Sequence, residues 1–536
     1  MSRDFGDFQT PHLLVNEVIK CLLHKGKQWT RVLEPTCGRG NFIKGLLEID
    51  NPPQEIQGIE IQDKHILSAQ ELVQRKEFPN ITIKQANIFH LDLQADLTWD
   101  NKGPFLILGN PPWVTNAELS LLESENLPTK TNFKGFSGLG AMTGESNFDI
   151  AEYIWIKLIR EFASENPTIA LLCKTSVARN VLKFTYDAKV PVKEACIWEI
   201  DSKKNFGAAV DACLFYIDIS LGFSCYEAQV YQNLNTTIPY TTMGIRNKQL
   251  VSNISINSGL AFIDGTCPLT WRQGLKHDAA AIFELTYSSS GHLCNKLGEI
   301  VQVEPEYVYP LLKSSDLGGK EKERPQRAVL VTQKRIGENT HHIKYDAPLL
   351  WDYLTSYQEI CDSRKSSIYE NQPPFAIFGI GDYSFAPYKV AISGMYKTLK
   401  FSVVGPINGC PVQFDDTCYF IACISAEQAS FISSLLSHPL CTKFINSIVF
   451  WDNKRPITKR LLQRIDLKTL LKHVDGQAII EQANTILRAM NITQKTLSIE
   501  WPQNLEDFLK DLSLTRKTQD STKLAKTGEA TQINLF

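Results

Sequence analysis

No apolar run in the sequence approaches the roughly 20 residues that span a bilayer. Even Phe105-Leu106-Ile107-Leu108 stops at Gly109, so no membrane segment is expected. No apolar stretch follows Met1-Ser2-Arg3-Asp4, and a secretory signal is not expected either. The 13 cysteines include no C-x-x-C pair and no dense, even spacing. That excludes a zinc ribbon and a secreted disulfide scaffold; no metal site is expected, and the chain reads as reduced and cytoplasmic. Internal repeats are absent. An excess of either charge is also lacking: 56 Lys and Arg against 58 Asp and Glu leave a net charge of −2. The overall positive field that phosphate contacts draw on is therefore missing. Positive charge is local instead, in Lys454, Arg455, Lys459, Arg460, Arg464, Lys468 and Lys472, among which only Asp452 and Asp466 are acidic. A helix here would offer a basic stripe to a nucleic-acid backbone, or simply a solvated face.

What is present is length and pattern. At 536 residues, 43% of them hydrophobic, the chain exceeds the ~250–300 residues at which single cores stop growing, so two folded domains are expected. The first part alternates strand-like runs (Arg31 to Leu33, Ile56 to Ile61, Phe105 to Leu108, Ile169 to Cys173) with helical stretches such as Phe42 to Leu47 and Ile150 to Phe162. That alternation predicts an α/β, Rossmann-like doubly wound sheet. Its ligands belong at the carboxyl ends of the strands. Beyond residue 240 the pattern becomes short strand-like pieces broken by Gly, Pro and polar turns: Tyr307 to Pro310, Val329 to Val331, Phe375 to Gly379, Lys389 to Ile392 and Cys418 to Ile421. A separate α+β module is expected, then helices over Ile479 to Met490 and Leu505 to Leu512. A polar tail from about Arg516 is expected to be disordered. The expected boundaries are 1–235, 236–513 and 514–536.

Two segments at strand ends carry the chemistry. In Glu34-Pro35-Thr36-Cys37-Gly38-Arg39-Gly40, Gly38 and Gly40 allow a tight turn and a close approach of backbone to ligand at a helix N-terminus. Glu60 closes the next strand-like run, where a carboxylate can accept ribose hydroxyls. Acid, glycine loop, acid suits a nucleoside cofactor. Asn110-Pro111-Pro112-Trp113 follows Gly109. The prolines fix φ, remove two N–H donors and bias Asn110 and Pro111 to extended geometry. The Asn110 side-chain oxygen and the Pro111 carbonyl then form two fixed acceptors for a planar exocyclic amine, with Trp113 as a stacking face.

These motifs, in this order, resemble the gamma class of adenine-N6 DNA methyltransferases of restriction–modification type. Phe8-Gln9-Thr10-Pro11 is similar to the opening F-x-T-P motif, whose threonine approaches the methionine moiety of S-adenosyl-L-methionine. Glu34 to Phe42 is similar to the cofactor motif. Glu60 resembles the ribose-binding acid, and Ile61 its apolar neighbour that packs on the cofactor adenine. Asn110 to Trp113 is similar to the N-P-P-aromatic catalytic motif, and Asn147-Phe148-Asp149-Ile150 falls where the next motif lies. Asn205-Phe206-Gly207 resembles the motif whose aromatic residue, here Phe206, sandwiches a flipped adenine against Trp113. Asn87 departs from the family's usual aspartate. Its amide oxygen can accept from the cofactor's adenine amine, whereas an inward NH₂ is expected to weaken cofactor binding.

The resemblance implies double-stranded DNA as substrate, a target-recognition second half and a separate restriction endonuclease as partner. In that half Arg272, Lys276, Lys334, Arg335, Lys454 and Arg455 are candidates for phosphate or guanine contacts. No cleavage domain is expected, because the motifs begin at Phe8 and no acidic-acidic-lysine site follows. Gln532-Ile533-Asn534-Leu535-Phe536 resembles the Q-x-x-L-F peptide that docks on the bacterial sliding clamp, with Gln532, Leu535 and Phe536 as anchors. Two alternatives stay open. One is transfer to a protein glutamine or an RNA base, which the same tetrapeptide serves; the other is a non-catalytic DNA- or clamp-binding protein of methyltransferase fold.

Overall fold

The computed structural model of the chain describes residues 9–73, 80–114, 149–318 and 327–490. Phe8, Asn147, Phe148, the helix expected over Leu505 to Leu512 and the tail anchors Gln532, Leu535 and Phe536 lie outside the described residues. The chain divides into two units, Met1–Ser255 and Ile256–Phe536.

The first unit is built on one ten-stranded sheet. In chain order its elements are α1 (His12–Leu23), β1 (Arg31–Glu34), α2 (Asn41–Leu47), β2 (Glu55–Glu60), α3 (Asp63–Val73), β3 (Asn80–Gln85) and β4 (Phe105–Gly109). They continue with α4 (Ile150–Phe162), β5 (Thr168–Lys174), α5 (Thr175–Asp187), β6 (Val192–Ile200), α6 (Ser202–Phe206), β7 (Ala212–Ile219), β8 (Glu227–Tyr231), β9 (Thr241–Arg246) and β10 (Gln249–Val251). The strand order is β10-β9-β8-β6-β7-β5-β4-β1-β2-β3. Strands β3, β2, β1, β4 and β5 are parallel neighbours, and β7 pairs antiparallel with both β5 and β6. Every residue of β1, β2, β4 and β7 is buried. That is why β4 and β7 read as near-continuous apolar runs, while β1 and β2 also bury Arg31, Glu34, Glu55, Gln57 and Glu60. Helix α1 buries Leu14, Val15, Val18, Ile19 and Leu22, an i, i+4 spacing that lays one stripe on the core.

The sequence places the domain boundary at 235/236, and the structure moves it to 255/256. Strands β9 and β10 belong to the first sheet: β9 runs antiparallel to β8, with Glu227 opposite Gly244. As short, half-buried edge strands they lack the apolar run that marks the central ones.

The second unit holds two smaller sheets. Its strands are β11 (Arg272–Gln273), β12 (Glu284–Tyr287), β13 (Leu293–Cys294), β14 (Val308–Leu312), β15 (Arg327–Leu330), β16 (Tyr388–Ser393), β17 (Ser402–Val404), β18 (Gln413–Phe414) and β19 (Cys418–Cys423). The five-stranded sheet runs β13-β12-β15-β14-β18 and the four-stranded one β11-β19-β16-β17. Helices α7 (Ala426–Ser437), α8 (Pro439–Ile448), α9 (Lys459–Leu462) and α10 (Gly476–Ala489) follow.

Four of the five expected strand pieces lie in β14, β15, β16 and β19. Phe375 to Gly379 is not a strand. Phe378 and Lys276 exchange backbone hydrogen bonds of 2.8 and 2.9 Å, and the chain then passes over Gly274. A Cβ on Gly379 would sit 2.3 Å from the Gly274 oxygen, and one on Gly274 would sit 2.1 Å from that of Asp415. Three backbones meet at this point, so glycine is required at both positions.

The basic stretch after Lys454 forms no single helix. Helix α9 is one turn, and a second turn at Leu467–Leu471 starts from its own cap, Asp466, which accepts from Thr469 N. Arg464 is turned inward against Asp264 at 2.8 Å, and Arg455 pairs with Asp416 at 3.0 Å.

Candidate active site

The strand order reverses between β1 and β4. Strands β2 and β3 lie to one side and β5 to the other, so the loops leaving the carboxyl ends of β1 and β4 diverge and open a crevice. Both sequence motifs occupy those loops.

Glu34 is the last residue of β1. In the loop that follows, Gly38 and Gly40 adopt φ of +53° and +77°, a left-handed region that side chains resist. A Cβ on Gly38 would also lie 2.8 Å from Gln9 Oε1. Glu60, at the end of β2, ties this loop down. One carboxylate oxygen accepts from Gly38 N at 2.8 Å; the other accepts from Ile61 N at 3.0 Å and Gln62 N at 2.7 Å. A carboxylate offers about four lone-pair sites, so Glu60 keeps acceptor capacity for one further donor rather than for two ribose hydroxyls.

Glu34 is 3% exposed and its Oε2 has no hydrogen-bond partner. Burial lifts its pKa well above the ordinary carboxylate value; a hydrogen bond from Ile43 opposes this, and the charge of Glu60 adds to it.

Thr10 joins the two motifs. Its hydroxyl accepts from Asn110 Nδ2 at 3.1 Å, and its carbonyl accepts from Asn41 Nδ2 at 2.9 Å. With the amide nitrogen of Asn110 held by Thr10, the amide oxygen lies on the opposite edge of the group. Pro111 and Pro112 carry no N–H, and no hydrogen bond among the described residues engages the Pro111 carbonyl.

Two cavities adjoin here. One of about 550 Å³ is lined by Ile59, Glu60, Ile61, Asn87, Phe89 and Pro112 among others. The other, about 480 Å³, is lined by residues including Thr10, Glu34, Gly38, Glu60, Asn110 and Pro112. Glu60 and Pro112 border both, so the crevice is continuous. Thr10, Glu34, Gly38, Glu60, Ile61, Asn87, Asn110 and Pro112 are thus brought together as the sequence suggested. Asn87 Oδ1 accepts from Phe89 N at 3.0 Å, a local turn that fixes which way the amide faces.

Trp113 and Phe206 also meet, but not as an open slot. Their rings touch edge to face, with centroids 5.0 Å apart at 72°. Trp113 is 7% exposed and its indole N–H donates to Leu172 O at 3.3 Å. Edge-to-face contact is the usual way two aromatic rings satisfy each other, and it leaves no gap for a planar ring between them.

Gln9, Asn41 and Asp149 lie inside motifs that the sequence marked, but sequence reasoning assigned them no role of their own. Gln9 Oε1 accepts from Arg39 N at 3.2 Å. Asp149 caps α4 through Ala151 N and pairs with Lys174 at 2.7 Å, at the end of β5. An Asp directly before the helical stretch from Ile150 was the available signal for that cap; nothing comparable marks Gln9.

In the second unit the basic candidates separate. Lys276 pairs with Asp278 at 3.4 Å and Arg335 with Asp382 at 3.5 Å, and Arg455 is paired as described. Lys334 and Lys454 are exposed. Arg272 lies over the ring of Tyr383, 4.4 Å from its centroid.

Comparison with known proteins agrees with this geometry. Residues 27–117, which carry β1 to β4 and both motif loops, match a family model described as a methyltransferase domain. The type II methyltransferase M.NspV of Nostoc sp. is 38% identical over 470 residues, covering 88% of this chain and 97% of that protein. Among solved structures, the type IIL restriction–modification enzyme MmeI, in complex with DNA, aligns over 96% of this chain and 76% of its own at 14% identity and a TM-score of 0.48. TrmN from Thermus thermophilus aligns over 39% of this chain and 49% of its own, at 16% identity and a TM-score of 0.26. With a Rossmann-like methyltransferase unit, a further α+β unit and identity along nearly the whole of a type II relative, the chain belongs to the type II methyltransferases of restriction–modification.

Proposed function

We propose that the chain transfers the methyl group of S-adenosyl-L-methionine to N6 of an adenine flipped out of duplex DNA, as a gamma-class, site-specific modification enzyme with a separate endonuclease as its counterpart. The observation that carries this reading is the Thr10–Asn110 hydrogen bond. It orients the amide so that its oxygen and the Pro111 carbonyl are two acceptors at the edge of a crevice with two carboxylates.

The crevice fits the cofactor by charge. Glu34 and Glu60 both line it; burial, and after it the charge of Glu60, raises the Glu34 pKa, a cost that a bound cation would relieve. A sulfonium and an ammonium group answer that need. Glu34 would face the cationic end, Glu60 would take a ribose hydroxyl with its remaining capacity, and Ile61 and Asn87 would border the adenine. When bound, the cofactor supplies an electrophilic methyl group.

Asn110 Oδ1 and the Pro111 carbonyl accept the two N–H groups of the target amine. Its lone pair then turns out of the ring plane toward the methyl group, and the proton released afterwards leaves along the same hydrogen bonds. Preorganised acceptors do this without a strong base. Phe206 has to part from Trp113 to admit the base. Stacking worth roughly 1–3 kcal/mol per face offsets a flipping cost of a few kcal/mol.

The test is incubation with labelled cofactor and plasmid DNA, followed by sequencing that detects N6-methyladenine. Methylated adenine at one short sequence is the expected result. Label in protein or RNA and never in DNA overturns the reading.

A further inference from the structure

Four of the basic side chains of the second unit that the sequence singled out are paired with neighbouring carboxylates. Arg455 has Asp416, Arg464 has Asp264, Lys276 has Asp278 and Arg335 has Asp382. Arg272 differs. It stands on β11, the edge strand of the four-stranded sheet, half-buried, with its guanidinium held flat on Tyr383. Among the described residues its buried Nε has no acceptor, and no ion pair engages the group. A second cation, Lys459, stands at the start of α9, whose far end is tied to β11 by Trp271 N donating to the Gln463 side chain at 3.5 Å. Burial lowers the Lys459 pKa, and the positive charge of Arg272 lowers it further. Among the described residues Lys459 has no ion pair either.

Two like charges near enough to oppose each other, one of them partly desolvated, cost free energy that, among the described residues, only the ring of Tyr383 offsets. An anion between them would remove that cost. The geometry points to Arg272 and Lys459 as a clamp for one phosphate of the DNA backbone, with Tyr383 as the platform that fixes the plane of the guanidinium. A guanine edge is neutral and takes a single bidentate arginine; it would leave Lys459 without a counter-charge. A phosphate takes both the fork and the point charge. The clamp rests on the reading that duplex DNA is the substrate.

The experiment measures binding of a fluorescent random-sequence duplex by the full chain across roughly 50–200 mM salt, with methylation sites mapped in parallel. The expected result for R272Q/K459Q is a log K against log [salt] slope flatter by about 0.9, the value for one phosphate, and a loss of affinity shared by all sequences. K459Q alone, at an exposed position, must weaken binding in the same sense, so a folding defect at Arg272 cannot imitate the outcome. An unchanged slope with methylation spreading to new sequences would make Arg272 a base reader and overturn the clamp. Unchanged slope and affinity overturn it as well. No DNA binding by the wild-type chain overturns the DNA reading and the clamp together.

Discussion

Thr10 decides what Asn110 can do. It accepts from the amide nitrogen at 3.1 Å, in the one of two amide orientations that leaves the oxygen open to a substrate amine. Thr10→Val removes the acceptor while keeping the volume. The turnover number is expected to fall by roughly 10²-fold, as for other losses of active-site positioning, and Thr10→Ser to restore most of it. Equal turnover in the Val and Thr proteins would refute the role.

Glu34 gives a second prediction at this scale. Its free-state pKa is raised by burial first, whereas a cationic ligand favours the ionised form. Binding below that pKa must therefore expel a proton, so affinity rises with pH until the free carboxyl is itself ionised. Calorimetric titration of the cofactor should show affinity dropping by up to about tenfold per unit as pH falls below the pKa. The slope should flatten in Glu34→Gln; the same slope in that variant would clear Glu34 of involvement. The tetrapeptide and the glycine loop were legible in the sequence because their residues are contiguous. The Thr10–Asn110 bond was not, since it joins positions 100 residues apart.

Among the elements, the loop that leaves β4 and the start of α4 are joined directly. The described chain leaves at Val114 and resumes at Asp149, and Ile150 N donates to Val114 O at 3.0 Å. The two stems are thus closed by a backbone hydrogen bond between described residues. Replacing residues 115–148 with a short Gly-Ser turn is expected to leave thermal unfolding cooperative, with a midpoint within a few degrees of wild type. Loss of a cooperative transition would show that the segment is part of the core. Element legibility followed burial only in part: β1, β2, β4 and β5 were marked in the sequence, while β7, buried along its whole length, was not. The aromatic pair shows the opposite case. Phe206 and Trp113 could be named as neighbours, yet their edge-to-face packing depends on side-chain relief that no local pattern encodes.

For the molecule as a whole, the boundary at 255/256 is a testable correction. A fragment ending at Ser255 keeps β9 and β10 on the sheet and is expected to be soluble and to bind the cofactor. One ending at residue 235 bares the edge of β8 and is expected to aggregate. Equal behaviour of the two fragments would return the boundary to 235/236. Deleting the last five residues tests the proposed tether through Gln532, Leu535 and Phe536: clamp binding should vanish and methylation of naked plasmid should persist, while unchanged clamp binding would dismiss it. The two-unit plan was readable from the change of pattern near residue 240. The pairing of β11 with β19 was not, because Arg272 meets Phe420 across a separation that leaves no periodic trace.

Glu60 also has a use as a reporter. Its carboxylate holds the amides of Gly38, Ile61 and Gln62, which belong to two different loops. A ligand that donates to the remaining lone pair of this side chain draws charge from the carboxylate that all three amides share. In a nuclear magnetic resonance spectrum those amides would shift in concert on titration, and the Gly38 resonance, in the uncrowded glycine region, would announce an occupied crevice before any product is made.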